Sequence, residues 1–424
     1  MVSRVRGTRD LLDIRLIQFA LKTITKQLHS YHFQEIMTPL LEPVMLFKRS
    51  LGIETDVVSK EMFIVSSSAA SLQDGPEDEI CLRPEATASV VRAFIENGIQ
   101  TVPWKVFLSG SMFRYERPQK GRYREFFQTN LEIIGARSIF YDVQVISMLD
   151  DLFREKCLLQ EFALHLNFLG CPDDRIYFKK QLHVFLEHHK TSLCATCLVR
   201  KEKNILRVFD CKNSDCQALY ENAPTLSEHL CQICQSEWKH VQEGLEELSV
   251  PFVHMPHLVR GLDYYNKTVF EFVSPLLGAQ SAFCGGGRYD QLVANLGAKE
   301  DQPSIGAGIG IDRLVLLLET VQDRLPLSYE SAFCAVLPLS LEQQPLALLI
   351  ADTLIKAGIE TDLFLDGSIK NMMKKADKTG AKMVLFIGAD EQKAGTVKVK
   401  NLQSGNETVI KQIELVKYVK ELFH

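Results

Sequence analysis

The stretch FLSGSMFRYERPQKGRYREFFQTNLEIIG, residues 107–135, decides how this chain is read. It opens as a strand-like run ending in Arg114, Glu116 and Arg117, passes through a Pro-Gln-Lys-Gly loop, and returns as a second strand-like run. In the return run Arg124, Gln128, Asn130 and Glu132 alternate with bulky residues. Strand side chains point to one face at every second residue. A hairpin of the two runs is therefore expected to set Arg114 and Glu116 on the same sheet surface as Gln128 and Glu132. So many charged groups on one face are costly if buried unpaired. The face is either solvated or the floor of a site for a charged substrate, with Lys120, Arg122 and Arg124 near phosphate.

Two distant stretches favour the site. One is Leu258-Val-Arg-Gly-Leu-Asp-Tyr-Tyr-Asn266, followed by a strand-like run from Thr268 to Phe272. The other, GAGIGIDRLVLLL at 306–318, reads as a small-residue strand entering an apolar helix with Arg313 at the junction. Glycines in such a strand let a ligand approach the backbone. An arginine there can stack its guanidinium plane on a base.

On these residues the chain resembles the class II aminoacyl-tRNA synthetases, and within them the histidyl-tRNA synthetase family. FRYERPQKGRYREF resembles the second class II motif and GIGIDRLVLLL the third. Leu258–Tyr265 and Cys284-Gly-Gly-Gly-Arg-Tyr-Asp-Gln-Leu292 resemble segments peculiar to the histidine enzymes. Arg4–Asp10 and Leu82-Arg-Pro-Glu-Ala-Thr87 fit the same family. One such motif is weak; these blocks in family order are specific. The resemblance implies an α+β catalytic domain with a mostly antiparallel sheet over residues 1–325 and an α/β anticodon-binding domain over 331–424.

Composition agrees with a soluble globular chain. It has 424 residues, 46% hydrophobic and 24% charged, so two or three domains are expected. No apolar run approaches the roughly 20 residues needed to cross a bilayer, and no signal-peptide core is read at the N-terminus. A cytoplasmic protein without a membrane partner is expected. A net charge of −5 excludes a bulk-basic nucleic-acid binder, so an RNA partner would be held by local patches.

Along the chain, Leu12, Leu16, Phe19, Ala20, Ile24 and Leu28 recur at helical spacing, and Phe33–Pro39 reads as extended. By resemblance these form the first class II motif, at the interface of a homodimer. From about residue 170 to 250 an insertion rich in charges and cysteines interrupts the pattern. In the tail, strand-like Phe333–Leu337, Glu360–Leu365 and Lys382–Ile387 alternate with helical stretches, which indicates a mostly parallel sheet. Lys370, Lys374, Lys375, Lys378 and Lys382 gather around one helix there.

Eleven cysteines, an odd number, in a chain without an export signal argue against a disulfide framework. Cys81, Cys157, Cys171, Cys284 and Cys334 read as core or edge thiols. Cys194/Cys197 and Cys231/Cys234 are two Cys-x-x-Cys pairs that match the spacing of one tetrahedral structural zinc site, with Cys211 and Cys216 between them. The resemblance does not require zinc, because the family pattern is loose here.

What the resemblance implies chemically is activation of L-histidine by ATP with Mg²⁺, then transfer to histidine tRNA. The amino-acid carboxylate is already an anion, so catalysis rests on positioning and charge. Arg114 and Arg260 would be catalytic, bracketing the α-phosphate. Glu85, Ala86, Thr87, Arg114, Gln128, Glu132, Arg260, Tyr264 and Tyr265 would hold histidine. Arg114, Glu116, Arg122 and Arg313 would hold ATP, with Glu116 on either the adenine or the magnesium side. Gln119 and Arg124 would meet tRNA. A site reading a polar side chain discriminates strongly, so no editing domain is expected. The alternative is the synthetase-like regulatory subunit of ATP phosphoribosyltransferase, a non-aminoacylating relative.

Overall fold

The strands Trp104–Phe113 and Glu125–Ile134 pair antiparallel over their full length, with Gly110 opposite Gln128 and Val106 opposite Glu132. They belong to an eight-stranded sheet. Its spatial order is Gln34–Glu35, Trp104–Phe113, Glu125–Ile134, Ser304–Gly310, Ala282–Arg288, Asn266–Val273, Ala163–Phe168 and Val253–His254. Every neighbour pair is antiparallel except the two at the edges, which are parallel. The computed structural model describes residues 2–53, 55–66, 79–327 and 333–423.

The chain divides into two units, Met1–Leu327 and Ser328–His424. In the first, the helix Arg15–Ser30 buries Ala20, Ile24 and Leu28, the stripe its periodicity announces, and packs against the helix Ile311–Leu318. Ile24 and Leu28 each contribute about 1.5–3 kcal/mol on burial. Its one buried polar residue, Gln27, donates to Asp151 at 2.8 Å. The helix Phe140–Asp151 is tied to the sheet by Arg288, which is 1% exposed. The Arg288 guanidinium pairs with Asp142 and donates to the Ala136 carbonyl at 2.7 Å.

Two expectations need correction. The first strand stops at Phe113, so Arg114 and Glu116 lie in the loop rather than on the sheet face. The cause is local: Tyr115 N turns to the Glu61 carbonyl at 2.7 Å and Glu116 N to the Arg114 carbonyl at 2.8 Å, which ends the ladder. In the insertion, Cys194 and Cys197 do not share a site with Cys231 and Cys234. Cys194 and Cys197 gather with Cys211 and Cys216, while Cys231 and Cys234 gather with Cys171 and Asp174. Cys171 is a half-buried free thiol at the edge of the insertion. Pair spacing along a chain does not say which pair folds against which.

The second unit holds a five-stranded sheet ordered Thr361–Leu363, Cys334–Pro338, Met383–Ile387, Thr396–Asn401 and Glu407–Lys411. The first three are parallel; the last two add an antiparallel hairpin. Helices Gln344–Lys356, Ile369–Lys378 and Leu415–Phe423 accompany them. Lys370, Lys374, Lys375 and Lys378 are exposed on the second, and the Lys375 ammonium lies 4.3 Å from the Phe364 ring.

Candidate active site

A cleft of about 460 Å³ opens over the middle of the eight-stranded sheet. Arg114, Arg260 and Arg313 all line it, although they come from three remote blocks of sequence. Glu85, Thr87, Glu116, Arg122, Gln128, Tyr264 and Tyr265 line it too. Glu132 lies beneath the floor, reached through Thr87. Ala86 is fully buried behind Glu85. Gln119 is exposed on the loop above, and Arg124 is held away from the cleft.

Glycines make this floor possible. A Cβ at Gly308 would stand 2.1 Å from the Gln128 amide, one at Gly306 1.7 Å from a Glu132 oxygen, and one at Gly285 2.5 Å from the Arg260 guanidinium. Real Cβ atoms do not come so close. The glycines thus admit the chain's own polar side chains across the sheet, where the sequence suggested room for a ligand against backbone.

Glu132 is 1% exposed. It accepts from the Thr87 hydroxyl at 2.7 Å and from the Tyr289 hydroxyl. Burial pushes its carboxyl up to about 8, against these two donors. Tyr289 belongs to the Cys284–Leu292 stretch, where only its place next to the glycine run hints at a role. Glu85 uses both oxygens to cap the helix Thr87–Glu96, accepting from Thr87 N at 2.7 Å and Ala88 N at 2.8 Å. Burial raises its carboxyl despite those bonds and the nearby Arg114. Two buried acceptors at the floor, Gln128 Oε1 and Asn130 Oδ1, have no partner among the described residues. Unmet buried acceptors are rare and mark where a donor is to arrive.

The upper wall is cationic. Arg114 donates to the Pro84 carbonyl at 2.9 Å. Arg260 pairs with Glu271, and its Nε is buried without an acceptor among the described residues. Arg313 donates to the carbonyls of Gly121 at 2.9 Å and Ala282 at 2.6 Å. Its guanidinium is lowered to about 10, by burial first and then by the repulsion of Arg122 and Arg114. Cations held this close prefer an anion between them.

The loop above is braced from the N-terminus. Arg122 pairs with Glu116, and Gln119 and Arg122 exchange backbone hydrogen bonds around Gly121, whose φ is +74°. The Arg124 guanidinium stacks on Tyr115 at 3.7 Å and its backbone N donates to Gly7. Arg9 lies 3.6 Å over the Tyr123 ring and pairs with Asp312, whose other oxygen accepts from Phe127 N at 2.7 Å. Arg9 and Asp312 are thus positioning residues that the sequence reading left without a role.

A family profile for histidyl-tRNA synthetase matches residues 7–314, and one for an anticodon-binding domain matches residues 334–422. The chain belongs to the histidyl-tRNA synthetase family. A histidine–tRNA ligase of Acetivibrio thermocellus is 39% identical over 98% of this chain and 98% of its own, and one of a Synechococcus species is 40% identical over 99% of each. The apo histidyl-tRNA synthetase of S. aureus superposes with a TM-score of 0.79 at 28% identity, covering 99% of both chains. An ATP phosphoribosyltransferase regulatory subunit/histidyl-tRNA synthetase from Bacillus halodurans is similar in fold, with a TM-score of 0.62 at 19% identity. Among the described residues no helix is long and apolar enough to cross a membrane.

Proposed function

We propose that this member of the histidyl-tRNA synthetase family activates L-histidine with ATP and transfers it to the 3′ end of histidine tRNA. The observation that carries the reading is the convergence of Arg114, Arg260 and Arg313 on one cleft, with Glu132 beneath its floor behind Thr87. The histidine carboxylate attacks the α-phosphorus, a carboxyl–phosphate bond forms, and pyrophosphate leaves. Arg114 and Arg260 flank that phosphate and stabilise its added charge. Arg313 lies against the adenine. Glu132, fixed by Thr87 and Tyr289, accepts from an imidazole N–H. Gln128 and Glu85 accept from the α-ammonium group, with Tyr264 and Tyr265 closing the side.

In the second step a ribose hydroxyl of the tRNA attacks the histidyl carbonyl and AMP leaves. Gln119 and Arg122 of the loop meet the acceptor end, and Arg124 holds that loop in place. Glu116 and Glu271 are the carboxylates on the phosphate wall, each now engaged by an arginine. ATP phosphates arriving at those arginines would free the carboxylates toward Mg²⁺, which supplies charge neutralisation on the polyphosphate. Residues 1–325 form the catalytic domain and 331–424 the anticodon-binding domain, whose exposed lysines suit RNA phosphate. The chain works as a homodimer in the cytoplasm.

Pyrophosphate exchange with each of the standard amino acids tests the reading. Exchange dependent on histidine alone supports it. No exchange from folded protein would favour the regulatory-subunit alternative.

A further inference from the structure

The insertion between the helix Pro172–His188 and the helix Gln232–Glu247 is built from short pieces: Ala195–Lys203, a 3₁₀ turn Ile205–Asp210 and Ser214–Tyr220. Pieces of this length bury little apolar surface, and small units of this kind are usually stapled. Beside Ile205, Val208 and Tyr220, they bury sulfur. The Sγ atoms of Cys194, Cys197, Cys211 and Cys216 all lie within 4.8 Å of one another. Cys194 Sγ is 3.7 Å from Cys211 Sγ, and all four thiols are free.

At that separation the two sulfurs are not bonded, a disulfide's being about 2.05 Å apart. It suits a shared metal instead. Four thiolates at about 2.3 Å from one zinc sit about 3.8 Å apart along the edges of a tetrahedron. Backbone donors already serve the sulfurs: Cys194 N donates to Cys216 Sγ and Asn213 N to Cys211 Sγ, both at 3.4 Å. A further donor waits. Tyr220 is 4% exposed, and its hydroxyl lies against Cys197. A metal-held thiolate would accept from that hydroxyl.

We propose that Cys194, Cys197, Cys211 and Cys216 bind one structural Zn²⁺, and that this knot holds Arg207 and Lys212 at the mouth of the catalytic cleft. Cys211 ends the 3₁₀ turn that carries Arg207, and Lys212 follows it directly. Both cations line the cleft. Arg207 comes within 3.8 Å of an Asp56 oxygen and sits beside Gly261, next to Arg260. Fixing Cys211 therefore fixes two positive charges over the phosphate-binding wall. Four soft thiolates in tetrahedral array select zinc over the oxygen-seeking cations.

The second group, Cys171, Asp174, Cys231 and Cys234, is explained without a metal. Asp174 accepts from Cys171 N at 3.1 Å with one oxygen and from Cys231 N at 2.9 Å with the other. It thereby ties the entry of the insertion to its exit.

The metal claim is independent of the proposed reaction; only the kinetic consequence rests on it, so the two fail separately. The full chain is produced in zinc-supplemented medium, purified without chelator or metal-affinity resin, and analysed for metals. Zinc is expected at about one atom per chain, released as the thiols are titrated with an organomercurial. Cys216→Ser is expected to lose it, and Cys231→Ser to keep it. Folded Cys216→Ser is expected to raise the KM for ATP in pyrophosphate exchange about tenfold. Wild-type protein that is fully folded without zinc, or that carries iron in its place, overturns the proposal. So does zinc that survives Cys216→Ser and departs with Cys231→Ser. Should Cys216→Ser be insoluble, metal content and thiol titration of the wild type decide.

Discussion

Glu132 and Gly306 face each other across antiparallel strands, and the glycine has no Cβ because the carboxylate occupies that space. An added methyl would stand 1.7 Å from Glu132 Oε2. Gly306→Ala must therefore turn the carboxylate away from Thr87 and Tyr289. Each such hydrogen bond contributes about 0.5–1.5 kcal/mol. The KM for histidine is expected to rise about tenfold or more, with the KM for ATP little changed. An unchanged histidine KM would remove Glu132 from substrate recognition.

The same carboxyl predicts a pH dependence of stability. Its folded value is raised to about 8 by burial, from the ordinary glutamate value of 4.5. Between those limits the folded state keeps a proton that the unfolded state releases. Stability therefore falls as pH rises through that window, by up to about 1.4 kcal/mol per pH unit. Glu132→Gln removes the effect. In urea unfolding at pH 5.5, 6.5 and 7.5, the variant should gain on the parent at each step. Parallel profiles would mean that Glu132 stays charged in the folded protein.

Arg260 and Arg288 sit on one short piece of sheet and its neighbouring loop, yet opposite outcomes are expected. Arg260→Ala should cost about 3–4 kcal/mol of barrier in histidine activation, a loss of about 100- to 1,000-fold in kcat. Its melting temperature and its affinity for tRNA should hardly move. Exchange at near-normal rate would contradict the role given to Arg260.

Arg288→Ala leaves Asp142, fully buried, without its counter-ion. Breaking such a buried pair costs about 3–5 kcal/mol of stability. Denaturant titration should show that loss, while any folded fraction retains its KM values. A loss of activity without loss of stability would place Arg288 in the chemistry instead.

Much of the site could be read from residue order alone. The alternation of Gln128, Asn130 and Glu132 on one strand marked the floor, and Arg114, Arg260 and Arg313 do meet over it. What stayed hidden depends on partners that no local pattern names. Gly306 and Gly308 suggested backbone open to ligand; only the pairing register reveals that Glu132 and Gln128 fill the gap. Arg9 finds Asp312 across 303 positions, and nothing in Arg4–Asp10 points there. The cysteines were paired wrongly because Cys211 and Cys216 lack Cys-x-x-Cys spacing. The hairpin Thr396–Lys411 carries no local signal that names it, since Lys398 and Lys400 find Glu407 at 2.7 and 2.9 Å only across the pairing.

The most direct test is a crystal structure with a non-hydrolysable histidyl-adenylate analogue, in which a sulfamoyl group stands for the phosphoryl group. The account places that group between Arg114 and Arg260, the adenine on Arg313, and an imidazole nitrogen on the Glu132 carboxylate. An analogue bound with its imidazole away from Glu132, or with either flanking arginine turned out of the cleft, would contradict it.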